Sequence, residues 1–357
     1  MKISIQQSII PDYRMGLFLL LRKQWGDDFQ IYAGDEDFGG SPQSTKEAWR
    51  HFQRVENKYF LRGNLLWQKG CFRSLVSADV AILNANMRVV SNTLVLLLRK
   101  ILRRKTILWG HAEGKNWFAS RLRGLYLRLC NGFIAYTQSQ AQMIQLLSPE
   151  RPVWVAANSC VRWEDCMPCA LSRENADQFI YVGRLVREKK VGLLLESFLE
   201  ARARALIPRQ ARLVFVGDGE ERSVLEARVQ ECDAGGVVEF AGHISDTERL
   251  RASYRDAICS VSPGYVGLSA TQSFSFGIPM LIASDEFHSP EIEACREGFN
   301  ARFFASDDVK ALAEELGLVY SQKNGLFASG KEIADWTQQN YSFEAMNDAF
   351  VRAVEEV

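Results

Sequence analysis

This sequence of 357 residues has no long apolar run. A membrane-spanning helix needs about 20 consecutive apolar residues, and a stretch such as Leu94–Leu98 is cut off by Arg99 and Lys100. The opening residues MKISIQQSIIPDYR hold no apolar core and no small-residue cleavage site, so a signal peptide is not expected and a cytoplasmic location is. Proline is scarce at 9 and glycine ordinary at 25, which excludes a collagen-like or Pro-rich chain. Net charge is also absent: 43 Lys and Arg stand against 43 Asp and Glu. With 47% hydrophobic and 24% charged residues the chain reads as globular rather than disordered. Its length suits two domains of about 150–180 residues.

The neutrality is a sum of two opposed halves. Residues 1–160 hold 22 Lys and Arg against 11 Asp and Glu, whereas residues 161–357 hold 21 against 32. The basic excess gathers in LLLRKILRRK, Leu96–Lys105, and in KNWFASRLRGLYLRL, Lys115–Leu129. Both read as helices that mix apolar and cationic residues. Such helices suit an anionic membrane surface. They suit a core-facing helix with a solvated basic face equally well. Nucleic acid is not expected as a partner, because no helix-turn-helix, RNA-binding or zinc-finger signature accompanies the charge.

Eight cysteines are present, and Cys166 and Cys169 form a C-x-x-C close to Cys160. A zinc site wants a second pair or a nearby histidine, and the nearest in sequence is His111. Free thiols and no metal are expected.

Short β-branched runs alternate with helical patterns along the chain. In the first half the expected strands are Ile3–Gln6, Gln30–Tyr32, Val80–Leu83, Ile107–Trp109, Phe133–Tyr136 and Val153–Ala156. In the second they are Phe179–Val182, Arg212–Val216, Val238–Phe240, Ala257–Val261, Met280–Ile282 and Ala301–Phe304. Alternation of this kind predicts parallel sheets covered on both faces. The expected organisation is a Rossmann-like domain over 1–160, a linker over 161–176, a second Rossmann-like domain over 177–340 and a final helix over 341–357. The linker assignment rests on Pro168, on the three cysteines of the stretch Ser159–Ala176 and on its lack of periodicity. Open α/β sheets bind ligands at the carboxyl ends of their strands, so two such domains are expected to face a cleft.

Three strand–turn–helix units look chemical. In FIYVGRLVREKKVGLLLESF a strand ends at Val182, Gly183 allows a turn, and Arg184, Lys189 and Lys190 follow at the mouth of a helix. Cations and free backbone N–H groups around one point suit a diphosphate. In LVFVGDGEERSVLEARV a strand runs into Gly217-Asp218-Gly219 and an acidic helix start, a generic turn with good capping chemistry. In VEFAGHISDTERLRASYRDAICSVSPGYVGLSATQSFSFGIPMLIAS one strand leads to Gly242 and His243, and a later one to Pro263-Gly264-Tyr265-Val266-Gly267. The helix after it opens near Ser269 and carries Gln272 one turn in. Its Gly-rich start is a second place for an anion.

Three such units in fixed order resemble the glycosyltransferases of family 4, which have the two-domain GT-B fold. The motifs that carry the resemblance are VGRLVREKK, VFVGDGEE, EFAGHIS, SVSPGYVGLSATQSFSFGIPMLIAS and PEIEACREGFNARFF. It is firm from about Gln178 to Leu316, looser from Lys105 to Ser159, and a matter of pattern in the first hundred residues. The resemblance implies a nucleoside-diphosphate sugar as donor substrate, no other cofactor and no metal. Arg184 and Lys189 match the positions that neutralise the donor diphosphate. Gly183 and Gly217 belong to the matched turns, and Gly242 and His243 fall in the loop that touches the base. Tyr265, Val266, Gly267 and Leu268 lie in the turn whose N–H groups meet sugar and phosphate. His111, just after a strand in TILWGHAEGK, matches a histidine near the donor sugar, and Asn158 a position at the domain crossover.

The chain departs from the family at two positions. Where the family pattern has two glutamates eight positions apart, this sequence has Gly264 and Gln272. Glutamine accepts a weaker hydrogen bond from ribose than a carboxylate does. The variant spacing resembles a subgroup of bacterial surface-polysaccharide transferases, including those of lipopolysaccharide synthesis.

The expected activity is therefore metal-independent transfer of a hexosyl or other glycosyl group to a glycan or lipid-linked glycan, with retention of configuration. The protein is expected to be peripheral at the inner face of the plasma membrane. A sugar-nucleotide epimerase or a phosphorylase on the same fold is an alternative, as is a non-catalytic nucleotide-sugar-binding protein.

Overall fold

The computed structural model describes residues 1–39, 43–111, 124–169 and 173–357. The chain divides into two compact units, one formed by Met1–Cys160 with Phe343–Val357, the other by Val161–Ser342.

Seven strands make an all-parallel sheet in the first unit: β1 (Ile3–Gln6), β2 (Phe29–Ala33), β3 (Gln53–Arg54), β6 (Val80–Asn84), β7 (Lys105–Trp109), β8 (Gly132–Ala135) and β9 (Val153–Val155), in spatial order β3-β2-β1-β6-β7-β8-β9. An antiparallel hairpin of β4 (Glu56–Phe60) and β5 (Leu65–Lys69) stands apart from it. Successive side chains of a strand point to opposite faces, so a sheet covered on both is largely apolar along its central strands. Ile3, Ile5, Ile31, Val80 and Ile82 pack on one face with Phe18 and Leu21 of the helix Met15–Trp25 and with Met346 and Phe350 of the helix Phe343–Glu356. Ala81, Leu83, Leu108 and Phe133 pack on the other with Leu75, Val95 and Ile144.

The second sheet is also all-parallel. Its strands are β10 (Gln178–Val182), β11 (Arg212–Val216), β12 (Val238–Gly242), β13 (Ala257–Ser262), β14 (Met280–Ala283) and β15 (Ala301–Phe304), in the order β12-β11-β10-β13-β14-β15. In both sheets the strand order reverses beside the first strand, the doubly wound arrangement. Helices begin where capping side chains accept the first free N–H groups: Thr137 from Gln140, Asp246 from Arg249, Asp308 from Lys310 and Ala311.

The structure departs from the sequence-based expectations at three places, and it supplies the docking partner of the last helix, which the sequence leaves open. Residues 161–169, expected to start a linker, are folded onto the second unit: Arg251 donates to the carbonyls of Asp165 and Met167, both at 2.8 Å, and the Cys169 N–H to that of Phe276 at 2.9 Å. The last helix joins the first unit, where Glu356 accepts from the Trp154 indole N–H at 2.8 Å. The strand β3 and the hairpin β4–β5 were not marked by an apolar pattern. The expected basic helix at Leu96–Lys105 spans Val90–Ile101 instead and does not present all its cations to solvent. Of the second basic stretch, residues 115–123 lie outside the described residues. All eight cysteines are free thiols.

Arg99 on that helix is fully buried. It donates to the carbonyls of Leu75, Val76, Ala78, Asp79 and Lys105 and to the Thr106 hydroxyl. Burial lowers its pKa to about 10, Arg104 adds to the effect and Asp79 opposes it. Arg99→Met is expected to leave those carbonyls without a donor and to cost about 3 kcal/mol or more. The midpoint of urea unfolding measures this. A loss below about 1 kcal/mol would mean that the carbonyls find other donors.

Candidate functional site

The second sheet reverses between β10 and β13, and the crevice at such a reversal is where open parallel sheets hold ligands. Two turns meet there, Gly183–Lys190 after β10 and Pro263–Leu268 after β13. They touch through backbone. A Cβ on Gly264 would lie 2.7 Å from the Glu188 carbonyl oxygen and 2.9 Å from the Lys189 carbonyl carbon. Glycine is what lets the turns close on each other. No carboxylate side chain fits at this position while the turns stay where they are.

Lys189 ties the same contact. Its Nζ donates to the Tyr265 carbonyl oxygen at 2.8 Å and stands 3.4 Å from the centre of the Tyr265 ring. Burial lowers its pKa to about 8, Arg184 pushes the same way, and Glu291 opposes. Arg184 is exposed, and its carbonyl accepts from the Tyr181 hydroxyl at 2.9 Å. The adjacent Lys190 turns elsewhere, to Glu286 and, at 2.8 Å, to Asp307. It does not join Arg184 and Lys189.

The turns after β11 and β12 serve packing. Gly217 has a φ of +143°, and a Cβ there would lie 1.8 Å from the Gly183 carbonyl oxygen. The Gly183 N–H donates to the Val216 carbonyl at 3.0 Å and the Gly217 N–H to the Gly242 carbonyl at 2.8 Å. Both amides are engaged within the protein, and the space that Gly217 leaves is filled by the neighbouring turn at Gly183. His243, beyond Gly242, is exposed.

The Val266 N–H donates to Nδ1 of His288 at 3.0 Å, so this amide is engaged too. Burial lowers the His288 pKa, which favours the neutral ring that accepts the bond. Gly267 and Leu268 lead into the helix Ser269–Ser275, where Gln272 is half-buried. Sequence pattern alone does not single out His288 or Glu291. The available signal is that one of only 4 histidines precedes the PEIEA segment.

In the first unit His111 follows β7. Its ring centre lies 4.8 Å from that of Tyr136, and its Nδ1 lies 3.3 Å from Gln140 Nε2. Arg14 is buried beside them, donating to the Tyr136 hydroxyl at 3.1 Å with its guanidinium 4.9 Å from the Trp109 ring centre. The structure thus brings Lys189 against Gly264 and Tyr265, with Arg184 close enough to act on its charge, and the turn that carries Gly264 runs on to Gln272 in the second unit. His111 belongs to the other unit.

Gly264→Ala is expected to force the two turns apart and cost about 1–3 kcal/mol, the scale of overpacking a tight contact. Thermal unfolding measures the loss. A variant as stable as the parent would mean that the turns yield freely.

Residues 169–340 match the family model described as glycosyl transferases group 1. A curated relative, the alpha-monoglucosyldiacylglycerol synthase of Acholeplasma laidlawii, is 24% identical over 136 residues. That match spans 37% of this chain and 33% of the relative. Among solved structures, Alr3699/HepE of Anabaena in complex with UDP superposes with a TM-score of 0.72 at 14% identity, covering 100% of both chains. The lipopolysaccharide outer core galactosyltransferase WaaB gives 0.69 at 15% identity, over 100% of this chain and 99% of that one. A glycosyltransferase of Rickettsia africae gives 0.70 at 12% identity, over 99% and 98%. The whole chain has the GT-B fold of these glycosyltransferases, and its second unit is the part that the glycosyl transferases group 1 model matches.

Proposed function

We propose that the protein transfers a glycosyl group from a nucleoside-diphosphate sugar to a hydroxyl of a glycan or lipid-linked glycan, with retention of configuration. The observation that carries this reading is the pair of cations, Arg184 and Lys189, on the turn after β10, inside the stretch matched by the family model. As the bond from sugar to diphosphate breaks, negative charge grows on the leaving oxygens. Fixed cations in a partly dry site stabilise that charge. Lys189 uses one ammonium proton on Tyr265 and keeps others for phosphate. That the HepE structure holds UDP supports a diphosphate leaving group.

In this reading Gly242 and His243 border the base, Gln272 the ribose, and Gly267 and Leu268 the sugar and phosphates. His111 is the catalytic group assigned to the first unit. The absence of carboxylates at Gly264 and Gln272 fits an altered donor preference. The same absence favours a second reading, a protein that binds a nucleotide sugar without turning it over. Turnover of a nucleotide-sugar panel with a crude lipid acceptor separates the two. Arg184→Ala is expected to lower transfer by about 10²-fold or more, the scale of losing one charge-stabilising donor. Binding without transfer by the parent would favour the second reading, and undiminished turnover in Arg184→Ala would overturn the diphosphate assignment.

The acceptor is read as lipid-linked, with the protein resting on the inner face of the plasma membrane. No helix among the described residues is long and apolar enough to cross a membrane. The helix Val90–Ile101 instead leaves Val90, Leu94, Leu97 and Ile101 exposed along one stripe, Ile101 to 76%. Lys100, Arg103 and Lys105 are exposed beside its end. An apolar stripe flanked by cations suits anionic headgroups. The names of the Acholeplasma relative, a glycolipid synthase, and of WaaB point the same way. Vesicles containing phosphatidylglycerol are expected to bind the protein better than phosphatidylcholine alone, and Leu97→Glu is expected to remove the difference in a flotation assay. Equal binding to both vesicle types would overturn the assignment.

A further inference from the structure

The second unit has a cavity of about 250 Å³ at the amino ends of its strands, the opposite edge of the sheet from the turns that gather Arg184 and Lys189. Ala257, the first residue of β13, and Ile278, just before β14, form part of its floor with Phe327. Three cationic side chains line it: Arg173, Arg255 and Lys323. No Asp or Glu is among the lining residues. The carboxylate of Glu332, in the adjoining helix, is engaged with the backbone N–H of Ser329 at 2.9 Å and its hydroxyl at 2.7 Å.

The three cations are not satisfied by the protein. Arg173 gives one terminal nitrogen to the carbonyls of Gly277 and Ala328, both at 3.1 Å, while its Nε is buried with no acceptor among the described residues. Lys323 donates to the Ala176 carbonyl at 2.6 Å, which leaves two of its ammonium protons. Arg255 is exposed and takes part in no ion pair among the described residues. Burial depresses the Arg173 pKa, with Cys259 opposing. Like charges gathered around one partly open space, with a buried donor lacking an acceptor, are costly without a counter-charge. An oxyanion offsets that cost, because guanidinium and ammonium groups bind phosphate through short, charge-assisted hydrogen bonds.

We propose that this cavity binds a phosphate-type oxyanion, at a site separate from the crevice between the turns after β10 and β13. Its volume lies below the usual range of pockets for drug-sized ligands, which begins at about 300 Å³. The apolar floor leaves space for little more than the headgroup and a short apolar arm. Phosphate chemistry of this kind reaches the protein either as a small soluble phosphoester or as a lipid headgroup.

The test uses the full chain and two probes, inorganic phosphate followed by thermal shift and calorimetry, and phosphatidylglycerol-containing vesicles followed by flotation. Arg255→Ala removes an exposed side chain that makes no hydrogen bond or ion pair among the described residues, and Lys323→Met is the second variant. Arg184→Ala serves as the control at the other site. Phosphate is expected to raise the melting temperature of the parent and of Arg184→Ala, with affinity about tenfold weaker in Arg255→Ala and in Lys323→Met. That result names a soluble phosphoester. A vesicle affinity that falls in the same two variants, with no response to free phosphate, names a headgroup. The proposal is overturned if neither probe distinguishes those two variants from the parent, or if only Arg184→Ala abolishes the response.

Discussion

Two stretches of backbone pressed together at the reversal of a parallel sheet are what the candidate site depends on. The turn after β10 and the turn after β13 leave neighbouring strands at their carboxyl ends. They close on each other because Gly264 has no side chain to hold the Glu188 and Lys189 carbonyl groups away. Lys189 then bridges the gap to the Tyr265 carbonyl. Its neighbour Lys190, in a left-handed conformation with φ at +52°, points to Glu286 and Asp307 instead. One local backbone twist thus sends two adjacent lysines to different partners, Lys189 to the turn after β13 and Lys190 to two carboxylates. The lowered pKa of Lys189 is the electrostatic sign of a cation desolvated further than its protein partners repay.

Whole-chain charge is a poor guide to this site. The half of the sequence with more acids than bases is the half that holds Arg184 and Lys189. Many of its carboxylates are already paired: Glu196 with Arg228 at 2.6 Å, Glu315 with Arg302 at 2.8 Å and Asp177 with Arg212 at 3.1 Å. Around the switch point of the first sheet the polar atoms belong to neutral amides. Gln6, Gln68, Asn57 and Asn92 are hydrogen-bonded in one cluster that fastens the hairpin β4–β5 to the end of β1. Among the described residues of that unit the cations lie mostly on its surface, Arg99 and Arg14 being the buried exceptions.

The alternation of β-branched runs with helices was legible because both faces of each sheet are buried, so strands read as continuous apolar segments. The glycine turns were legible because close backbone approach admits little else. The hairpin was not. Glu56, Lys58 and Phe60 are exposed, and Asn57 and Gln68 are held by amide contacts far away in sequence, which leave no periodic trace. The last helix shows its apolar face in Phe343, Met346, Phe350 and Val354, yet only the fold reveals that the face covers the helix Met15–Trp25. In the basic helix the sequence cannot tell Arg99, held by carbonyls in the interior, from Lys100, in solvent. Burial of one charged residue out of several depends on which neighbour supplies acceptors, and that is a property of tertiary packing.

The return of Phe343–Glu356 to the first unit constrains how the protein is made. A Cβ at Gly16 would lie 2.1 Å from the Phe343 ring, and Trp109 meets Phe350 edge to face with centres 4.7 Å apart. The interior of the first unit is therefore closed by a segment that leaves the ribosome about 180 residues after Cys160. Until then a nascent chain carries an apolar sheet face with only part of its cover, while the second unit, contiguous from Val161 to Ser342, has all its own parts. During synthesis the later unit has all its parts before the earlier one, whose sheet face is covered by the helix Met15–Trp25 alone until the last helix emerges.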